Sequence, residues 1–400
     1  YVQIDVAADG VYRVGADAIR SALPEGITLS DIPRRSIRLI ENGQEIPIQV
    51  TGAPNGSLAP TDSITFVGHR NRGTDERWAY NDDRSAQSST YYSLYSDTTT
   101  YWMTWGGGDG RRYQTPDPTS TASPTDALRD TVHAEQDNRY YFGRPGANGN
   151  PLYTDSEGYY WRRFSHNGTA PISFEHTLPV GRRTATTASL DLTVRLDAAT
   201  NSCHRVRMSA ELRQSDGSLA FEPLRTVEWA GTERQSLTAS VTQDDIPANG
   251  LRLRLTSYND SFPDEIDGRN CPNPSNTPNY VLLDWMEAAY TRSLAASDNT
   301  QRFVAPEATP YTFSLSGHSG STVHVYNPRD GRRFDLPLTD GTASVTAAPS
   351  APSTPYWAVG NGAFRPPAAI RSDRPSNPDD GSLNDWVDAD STADDDLHAD

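Results

Sequence analysis

Between residues 172 and 294 the chain repeats short stretches in which hydrophobic and polar positions alternate. Alternation with a period of two is typical of half-buried antiparallel strands. Seven or eight such strands, the last at 281–290, predict a jelly-roll β-sandwich. The alternating hydrophobic positions are Ile172 and Phe174; Leu190, Leu192, Val194 and Leu196; Val206, Met208, Ala210 and Leu212; Val227 and Trp229; Leu237, Ala239 and Val241; and Leu251, Leu253 and Leu255.

The stretch VLLDWMEAAYTRSL at 281–294 predicts the central strand of this sandwich. Its first three residues are an apolar run of the kind found in strands buried on both faces, and the preceding NCPNPSNTPN is a loop sequence. Asp284 and Trp285 follow the run. A buried carboxylate needs hydrogen-bond donors to stay ionised, and a buried indole needs an acceptor for its ring N–H. We therefore expect both side chains to be held by neighbouring polar groups.

Smaller β units are predicted on either side of the sandwich. The N-terminal unit has turn signals at Asp9-Gly10 and Asn42-Gly43 and a short helix at 16–22. Residues 127–138 suit either a short helix or an extended arm. The predicted organisation is an N-terminal β-rich domain at 1–110, a linker at 111–130, the jelly roll at 131–295, a small Ig-like sandwich at 296–365 and an acidic linker at 366–400. The predicted fold class is thus all-β and multi-domain.

Several stretches of the sequence resemble one known family. LDWMEAAYTRSL is similar to the strand that closes the jelly roll ahead of the catalytic domain in gingipain-type cysteine peptidases. YVQIDVAADGVYRV, RSIRLIENGQEIPIQV and DSITFVG, followed by YYSLYSD and YWMT, occur in the same order as in the type IX secretion system sortases, the PorU-type proteins. The resemblance covers nearly the whole chain, and the order of the blocks carries most of its weight.

The resemblance implies that this chain is the non-catalytic N-terminal region of a secreted peptidase. Ser382-Leu383-Asn384 and the terminal His398-Ala399-Asp400 resemble the approach to the first strand of the catalytic domain. The acidic linker would therefore lead to a cysteine endopeptidase domain that is missing here. The implied roles of the β units are support, cargo docking or contact with secretion partners.

The family also implies partners and a location. Its members cleave C-terminal sorting signals at the cell surface and attach the cargo to anionic lipopolysaccharide. The expected partners are the chain's own peptidase domain, outer-membrane proteins of the secretion system and the C-terminal domains of cargo proteins. The expected location is extracytoplasmic, either secreted or on the cell surface.

The composition and net charge of the chain argue against further classes of function. The 400 residues carry a net charge of −17, and all 35 basic residues are arginine. An acidic surface without lysine suits a halophilic or GC-rich source, and codon bias alone is the alternative. The chain lacks the excess of basic residues that a protein uses to contact phosphate groups, which argues against nucleic acid as a partner. No apolar run is long enough to predict a membrane span.

Cys203 and Cys271 are the only cysteines. Two cysteines cannot make a zinc site alone, but a disulfide between them would suit an oxidising compartment. The alternative is two separate thiols. Cys203 adjoins His204, and adjacent residues on a strand point to opposite faces, so this pair cannot act as a nucleophile and its base. We predict no catalytic, cofactor-binding or metal-binding residue, and a structural disulfide between Cys203 and Cys271.

Acidic residues raise the possibility of calcium. Asp260, Asp264, Glu265 and Asp267 fall in one loop, and Asp284 is a candidate inner ligand. Calcium takes six to eight oxygen ligands. The spacing does not match an EF-hand, and a solvated acidic loop is the alternative.

Aromatic clusters support a second function. Tyr140, Tyr141 and Phe142 form one cluster and Tyr159, Tyr160 and Trp161 another. Aromatic side chains can bind sugars, so the alternative function is a carbohydrate-binding or adhesive β protein that uses Tyr159 and Trp161. The structural alternative is a sandwich edge that is capped by aromatic rings.

Overall fold

The computed structural model describes residues 1–74, 76, 78, 87, 90–116, 122, 124–141, 158–184, 188–260, 262–271 and 278–372. These residues form three β units, which confirms the predicted all-β, multi-domain fold. In the part of the chain so described, no helix has both the length and the apolar composition needed to cross a bilayer.

The N-terminal unit consists of two sheets packed around one core. One sheet has the order β28-β1-β7-β3-β4, in which β28 is Ala369–Ser372 from the far end of the chain, and the other has the order β2-β6-β5. Its elements are β1 Val2–Val6, β2 Gly10–Gly15, α1 Ala16–Arg20, β3 Arg38–Glu41, β4 Gln44–Ile46, β5 Gln49–Val50, β6 Ser63–Gly68 and β7 Thr99–Thr104, with 3-10 turns at Leu29–Asp31 and Arg34–Ser36. The turn between β3 and β4 is Asn42-Gly43, where both residues have positive φ, as the Asn-Gly signal predicts.

The jelly roll follows β8 Pro124–Thr125, which pairs with the third unit. Its two main sheets have the orders β12-β21-β14-β17, with β9 paired to the second half of β21, and β13-β18-β15-β16. Its strands are β9 Ala127–Glu135, β10 Arg139–Tyr140, β11 Tyr159–Tyr160, β12 Arg162–His166, β13 Ile172–Leu178, β14 Ser189–Ala198, β15 Cys203–Arg213, β16 Leu219–Ala230, β17 Gln235–Thr242, β18 Leu251–Tyr258, β19 Glu265–Ile266, β20 Arg269–Asn270 and β21 Asn279–Ser293. A 3-10 turn at Gln243–Asp245 leads into β18.

The alternating residues of the sequence face the core between the two main sheets. Leu190, Leu192, Val194 and Leu196 of β14 are all buried there, opposite Leu251, Leu253 and Leu255 of β18. The strand β21 lies at the centre of its sheet, as predicted. Residues 127–138, for which the sequence allowed two conformations, are extended and supply β9.

The third unit is a small sandwich that contacts both others. Its strands are β22 Thr300–Ala305, β23 Tyr311–Ser316, β24 Thr322–Asn327, β25 Arg332–Pro337, β26 Thr342–Ala347 and β27 Thr354–Gly360, in sheets of order β22-β27-β24-β25 and β26-β23-β8. The chain then returns to the first unit, where β28 Ala369–Ser372 pairs with β1. Residues 369–372, assigned to the linker from sequence, are thus a strand of the first sheet. The remainder of that linker, residues 373–400, lies outside the described residues.

Candidate functional site

A β-bulge interrupts β21 where the sequence placed its unusual polar pair. Asp284 and Trp285 together stand opposite the single residue Arg195 of β14, so the register shifts between Val194 and Leu196. A bulge changes the direction in which the neighbouring side chains point. Asp284 is only 1% exposed. The bulge therefore lies where the strand buries a carboxylate.

Asp284 belongs to a buried charge network. The network consists of Glu135, Arg195, Asp197, Arg234 and Asp284. Within it, Asp197 is fully buried and accepts a hydrogen bond from Arg234 Nε at 3.1 Å. Its second oxygen accepts a hydrogen bond from the Tyr160 hydroxyl at 3.0 Å. Asp197 is thus satisfied, as a buried carboxylate must be.

Asp284 is not satisfied in this way. Neither of its carboxylate oxygens has a hydrogen-bond partner among the described residues. Burial, followed by the nearby charges of Asp197 and Glu135, raises the pKa of Asp284 well above its ordinary value, and Arg234 and Arg195 offset only part of this. The donors that the sequence analysis expected for this side chain are not found in the described part of the chain.

Replacing Asp284 with asparagine should change how stability depends on pH. Because the folded state holds the proton of Asp284 to a higher pH than the unfolded chain, the free energy of unfolding falls as pH rises from about 4 toward the raised pKa. The slope from one such group is at most about 1.4 kcal/mol per pH unit. We expect Asp284→Asn to gain stability relative to the wild type as pH rises through this interval, in urea unfolding followed by tryptophan fluorescence. A difference that stays constant with pH would contradict the buried-acid interpretation, and Asp340→Asn in an exposed turn is the matched control.

His133 connects this network to the N-terminal unit. Its Nε2 lies 2.7 Å from Oε2 of Glu135, and its Nδ1 lies 3.0 Å from Oε1 of Glu287. Tyr91 stacks on the imidazole with ring centroids 3.9 Å apart. Although burial alone would favour the neutral ring, the hydrogen bonds to Glu135 and Glu287 raise the pKa of His133. The histidine thereby fixes the position of the Glu135 carboxylate.

A cleft of about 390 Å³ opens beside Glu135, between the N-terminal unit and the jelly roll. We call it the tyrosine cleft and define it by six of its lining residues. These are Tyr92, Tyr95, Asp97, Glu135, Asp137 and Tyr159. Three separate segments of the chain therefore meet at this cleft, namely the loop before β7, the end of β9 and the start of β11.

Local hydrogen bonds hold the loop that carries two of the tyrosines. The buried Glu76 accepts hydrogen bonds from the Ser93 hydroxyl and from the backbone N–H of Leu94, the latter at 3.1 Å. Ser93 Oγ in turn accepts the backbone N–H of Tyr95 at 3.1 Å. Tyr95, which lines the cleft, stacks on Trp78 with ring centroids 5.9 Å apart, and the two are 62% and 55% exposed.

The acidic wall of the cleft, formed by Asp97, Glu135 and Asp137, brings like charges close together. The side chain of Asp137 is exposed at the rim of the cleft, but its partial desolvation by the surrounding protein atoms, together with the nearby Glu135 carboxylate, raises its pKa to about 6. Asp97 forms an ion pair with Arg70. The wall therefore carries negative charge that the residues around it only partly neutralise.

The aromatic residues identified in the sequence lie in different environments. Tyr159 lines the cleft and packs against the exposed Tyr140. Tyr160 is buried beneath the charge network, and Trp161 is buried in the sandwich core against Phe174. Of the two residues proposed to bind sugar, only Tyr159 is therefore accessible. Phe142 lies outside the described residues.

Sequence analysis missed most of the cleft. Tyr92 and Tyr95 belong to the stretch YYSLYSD, which carries a family resemblance, and Glu135 and Asp137 lie in a segment whose sequence suits either a helix or an extended arm. The sequence does contain a tyrosine-rich segment and an acidic segment. They are far apart along the chain, however, and only tertiary contacts bring them together.

Cys203 and Cys271 are joined by a disulfide. The bond ties the start of β15 to the β19–β20 hairpin, where Ile266 and Phe262 pack around it. These are the two cysteines of the chain, and the disulfide leaves neither of them as a free thiol.

The residues considered for calcium are not assembled into one site. Asp260 pairs with Arg205 at 3.1 Å, Glu265 lies in the β19 strand, and Asp284 belongs to the charge network. Among the described residues, no group of three or more His, Cys, Asp or Glu side chains is arranged to hold a metal ion.

The structure defines a multi-domain β-sandwich protein. No protein-family model matches the chain, and no curated protein sequence matches it. Among solved structures, dimeric latent PorU from Porphyromonas gingivalis is similar over 93% of this chain and 33% of that chain, with a TM-score of 0.58 and 16% sequence identity. The likeness establishes a PorU-like fold, and the chain spans about a third of that protein.

Two carbohydrate-binding structures are similar at a much lower level. A family 16 carbohydrate-binding module-2 covers 31% of this chain and 74% of its own, with 10% identity and a TM-score of 0.19. A module from the β-sandwich superfamily covers 70% and 98%, with 10% identity and a TM-score of 0.22. TM-scores this low do not establish a shared fold.

Proposed function

We propose that this chain is the non-catalytic N-terminal region of a secreted gingipain-like cysteine peptidase of the type IX secretion sortase kind. The observation that carries the proposal is the PorU-like arrangement of all three β units along 93% of the chain. The family-like stretch LDWMEAAYTRSL is the central strand β21, the position that the resemblance implies. The disulfide supports an extracytoplasmic location, because such bonds persist in oxidising compartments.

In this role the three units act as one support for the peptidase domain. Val11 and Val67 of the first unit share a buried cluster with Tyr326, Trp357 and Val359 of the third. Backbone hydrogen bonds reinforce this contact, since Arg365 N donates to Val11 O at 2.8 Å and Arg13 N donates to Arg365 O at 3.0 Å. Burying this apolar surface opposes relative motion of the units.

The path of the chain supports a position for the attachment of a following domain. Strand β28 pairs with β1, so that Ser372 stands beside Val2 at the edge of the first sheet. A domain that continues beyond residue 372 would therefore be tethered next to the N-terminal unit, and the jelly roll would be free to contact cargo or secretion partners.

The carbohydrate-binding alternative has weaker support. Trp161, one of its two proposed residues, is in the core and cannot touch a ligand. The exposed Trp78–Tyr95 pair favours sugar binding, and a glycan screen is therefore included in the binding experiment described below.

The proposal is tested in the source organism. We expect the reading frame to continue past codon 400 into alternating strands and helices, with a histidine and a cysteine each at a strand end. An in-frame deletion of codons 1–372 should leave secreted proteins with uncleaved C-terminal domains, measured by mass spectrometry of their C-terminal peptides. The Asp340→Asn allele, which changes an exposed turn, should process them normally. A stop codon, further β units, or unchanged processing in the deletion strain would refute the proposal.

A further inference from the structure

We propose that the tyrosine cleft binds the guanidinium or ammonium group of a basic peptide segment. The inference is independent of the proposed function, since it uses only the chemistry of the cleft and holds for a peptidase front end or an adhesive protein alike.

The first argument is an unused acceptor. Glu135 is 8% exposed, and its Oε2 is taken by His133. Its Oε1 has no hydrogen-bond partner among the described residues. Because His133 is itself held by Glu287 and stacked under Tyr91, the carboxylate cannot turn away to find a partner. A buried acceptor left without a donor is costly. Since Glu135 lines the cleft, a ligand donor that reaches this oxygen would remove that cost.

The second argument is charge. Three carboxylates, Asp97, Glu135 and Asp137, are among the described residues that line the cleft, and none of those residues is an arginine. Arg70 lies behind this lining, where it contacts Tyr92 and Asp97. Asp97 is paired with Arg70, and Oε2 of Glu135 is paired with His133, so Asp137 and the second oxygen of Glu135 are left for a ligand. An added positive charge is attracted by both, more strongly where part of the path is buried. A neutral sugar could donate a hydroxyl hydrogen bond to these carboxylates, but it would gain no net Coulomb attraction from their charge.

The third argument is the aromatic walls. Tyr95 and Tyr159 line the same cleft as the two carboxylates. Guanidinium groups favour the faces of aromatic rings, and the attraction grows when the pair is shielded from water. The molecule already uses this contact at the cleft wall, where Arg70 lies 4.1 Å from the ring centroid of Tyr92. Carboxylates for hydrogen bonds and tyrosine faces for stacking together suit arginine best, because its planar fork can use both.

The experiment compares two peptides. One is a fluorescein-labelled hexapeptide with two arginines among glycine and serine, and the other has citrulline, the neutral isostere, at both positions. Binding to the full chain is measured by fluorescence anisotropy at low salt. We expect the citrulline peptide to bind at least about tenfold more weakly, because it lacks the charge that the carboxylates recognise.

Two variants locate the site. Asp137→Asn removes one cleft charge, and Tyr95→Ala removes one aromatic wall; both residues are exposed, so neither change should unfold the protein. We expect each to weaken binding of the arginine peptide about five- to tenfold. The control Asp340→Asn removes the same charge from an exposed turn of the third unit and should leave affinity unchanged.

Several results would overturn the inference. Equal binding of the two peptides would show that charge is not recognised. Equal weakening by Asp137→Asn and Asp340→Asn would show general attraction to a protein of net charge −17. No binding of the arginine peptide at millimolar concentration would also overturn it. So would a glycan screen in which a neutral sugar binds the wild type, fails to bind Tyr95→Ala and is not displaced by the arginine peptide.

Discussion

Replacing both cysteines with serine should lower the free energy of unfolding of the jelly roll by about 4 kcal/mol. The disulfide joins residues 68 apart, and breaking it returns the entropy of that loop to the unfolded chain. With a urea dependence of roughly 2 kcal/mol per molar, the midpoint of unfolding should fall by about 2 M. Urea titration followed by tryptophan fluorescence measures this shift.

The wild type under reducing conditions is the control for this prediction. It should unfold at the same urea concentration as the Cys203→Ser/Cys271→Ser variant, because both lack the same crosslink. If reduced and oxidised wild type unfold together, the bond does not constrain the unfolded chain in the way that the loop length predicts.

Trp161→Ala should destabilise the jelly roll by about 3 to 5 kcal/mol. The indole is 6% exposed and packs edge-on against Phe174 and His176, with ring centroids 5.4 Å and 4.6 Å away. Its removal leaves a large cavity between the sheets, in addition to the lost transfer free energy of the ring. The measurement is the urea midpoint and the thermal midpoint of the variant.

Tyr159→Ala is the matched variant, two residues earlier in the same aromatic run. Tyr159 lines the cleft and is not part of the sandwich core. We expect a loss of stability below about 1 kcal/mol. If instead Trp161→Ala were as stable as the wild type, the indole would not be a core residue, and its proposed role in sugar binding would have to be reconsidered.

The alternating pattern was enough to predict the strands of the jelly roll. In β14 every second residue from Leu190 to Leu196 is buried, because a strand with one face on the core must alternate. The apolar run at 281–283 likewise predicted a central strand, since a strand covered on both faces has no polar side to show. Turn chemistry at Asn42-Gly43 is equally local, because positive φ at both residues needs no distant contact.

Consecutive aromatic residues could not be assigned in the same way. Tyr159, Tyr160 and Trp161 look alike in sequence, yet one lines a cleft, one is buried under the charge network and one fills the core. In an ordinary half-buried strand, alternation would expose the middle residue. Here both faces of the sheet are covered at this point. Whether the middle residue is buried therefore depends on the neighbouring strands and not on the alternation.

The sequence by itself therefore determined the all-β class, the central sandwich and the position of its middle strand. The tertiary structure decided the rest. It set the bulge that buries Asp284, because a bulge arises from the register between β21 and β14 rather than from either strand alone. It also paired β28 with β1 across the length of the chain and brought Tyr95, Glu135 and Tyr159 to one cleft. Contacts between residues so far apart in sequence depend on how whole units pack, and hydrophobic periodicity records only which face of each strand is buried.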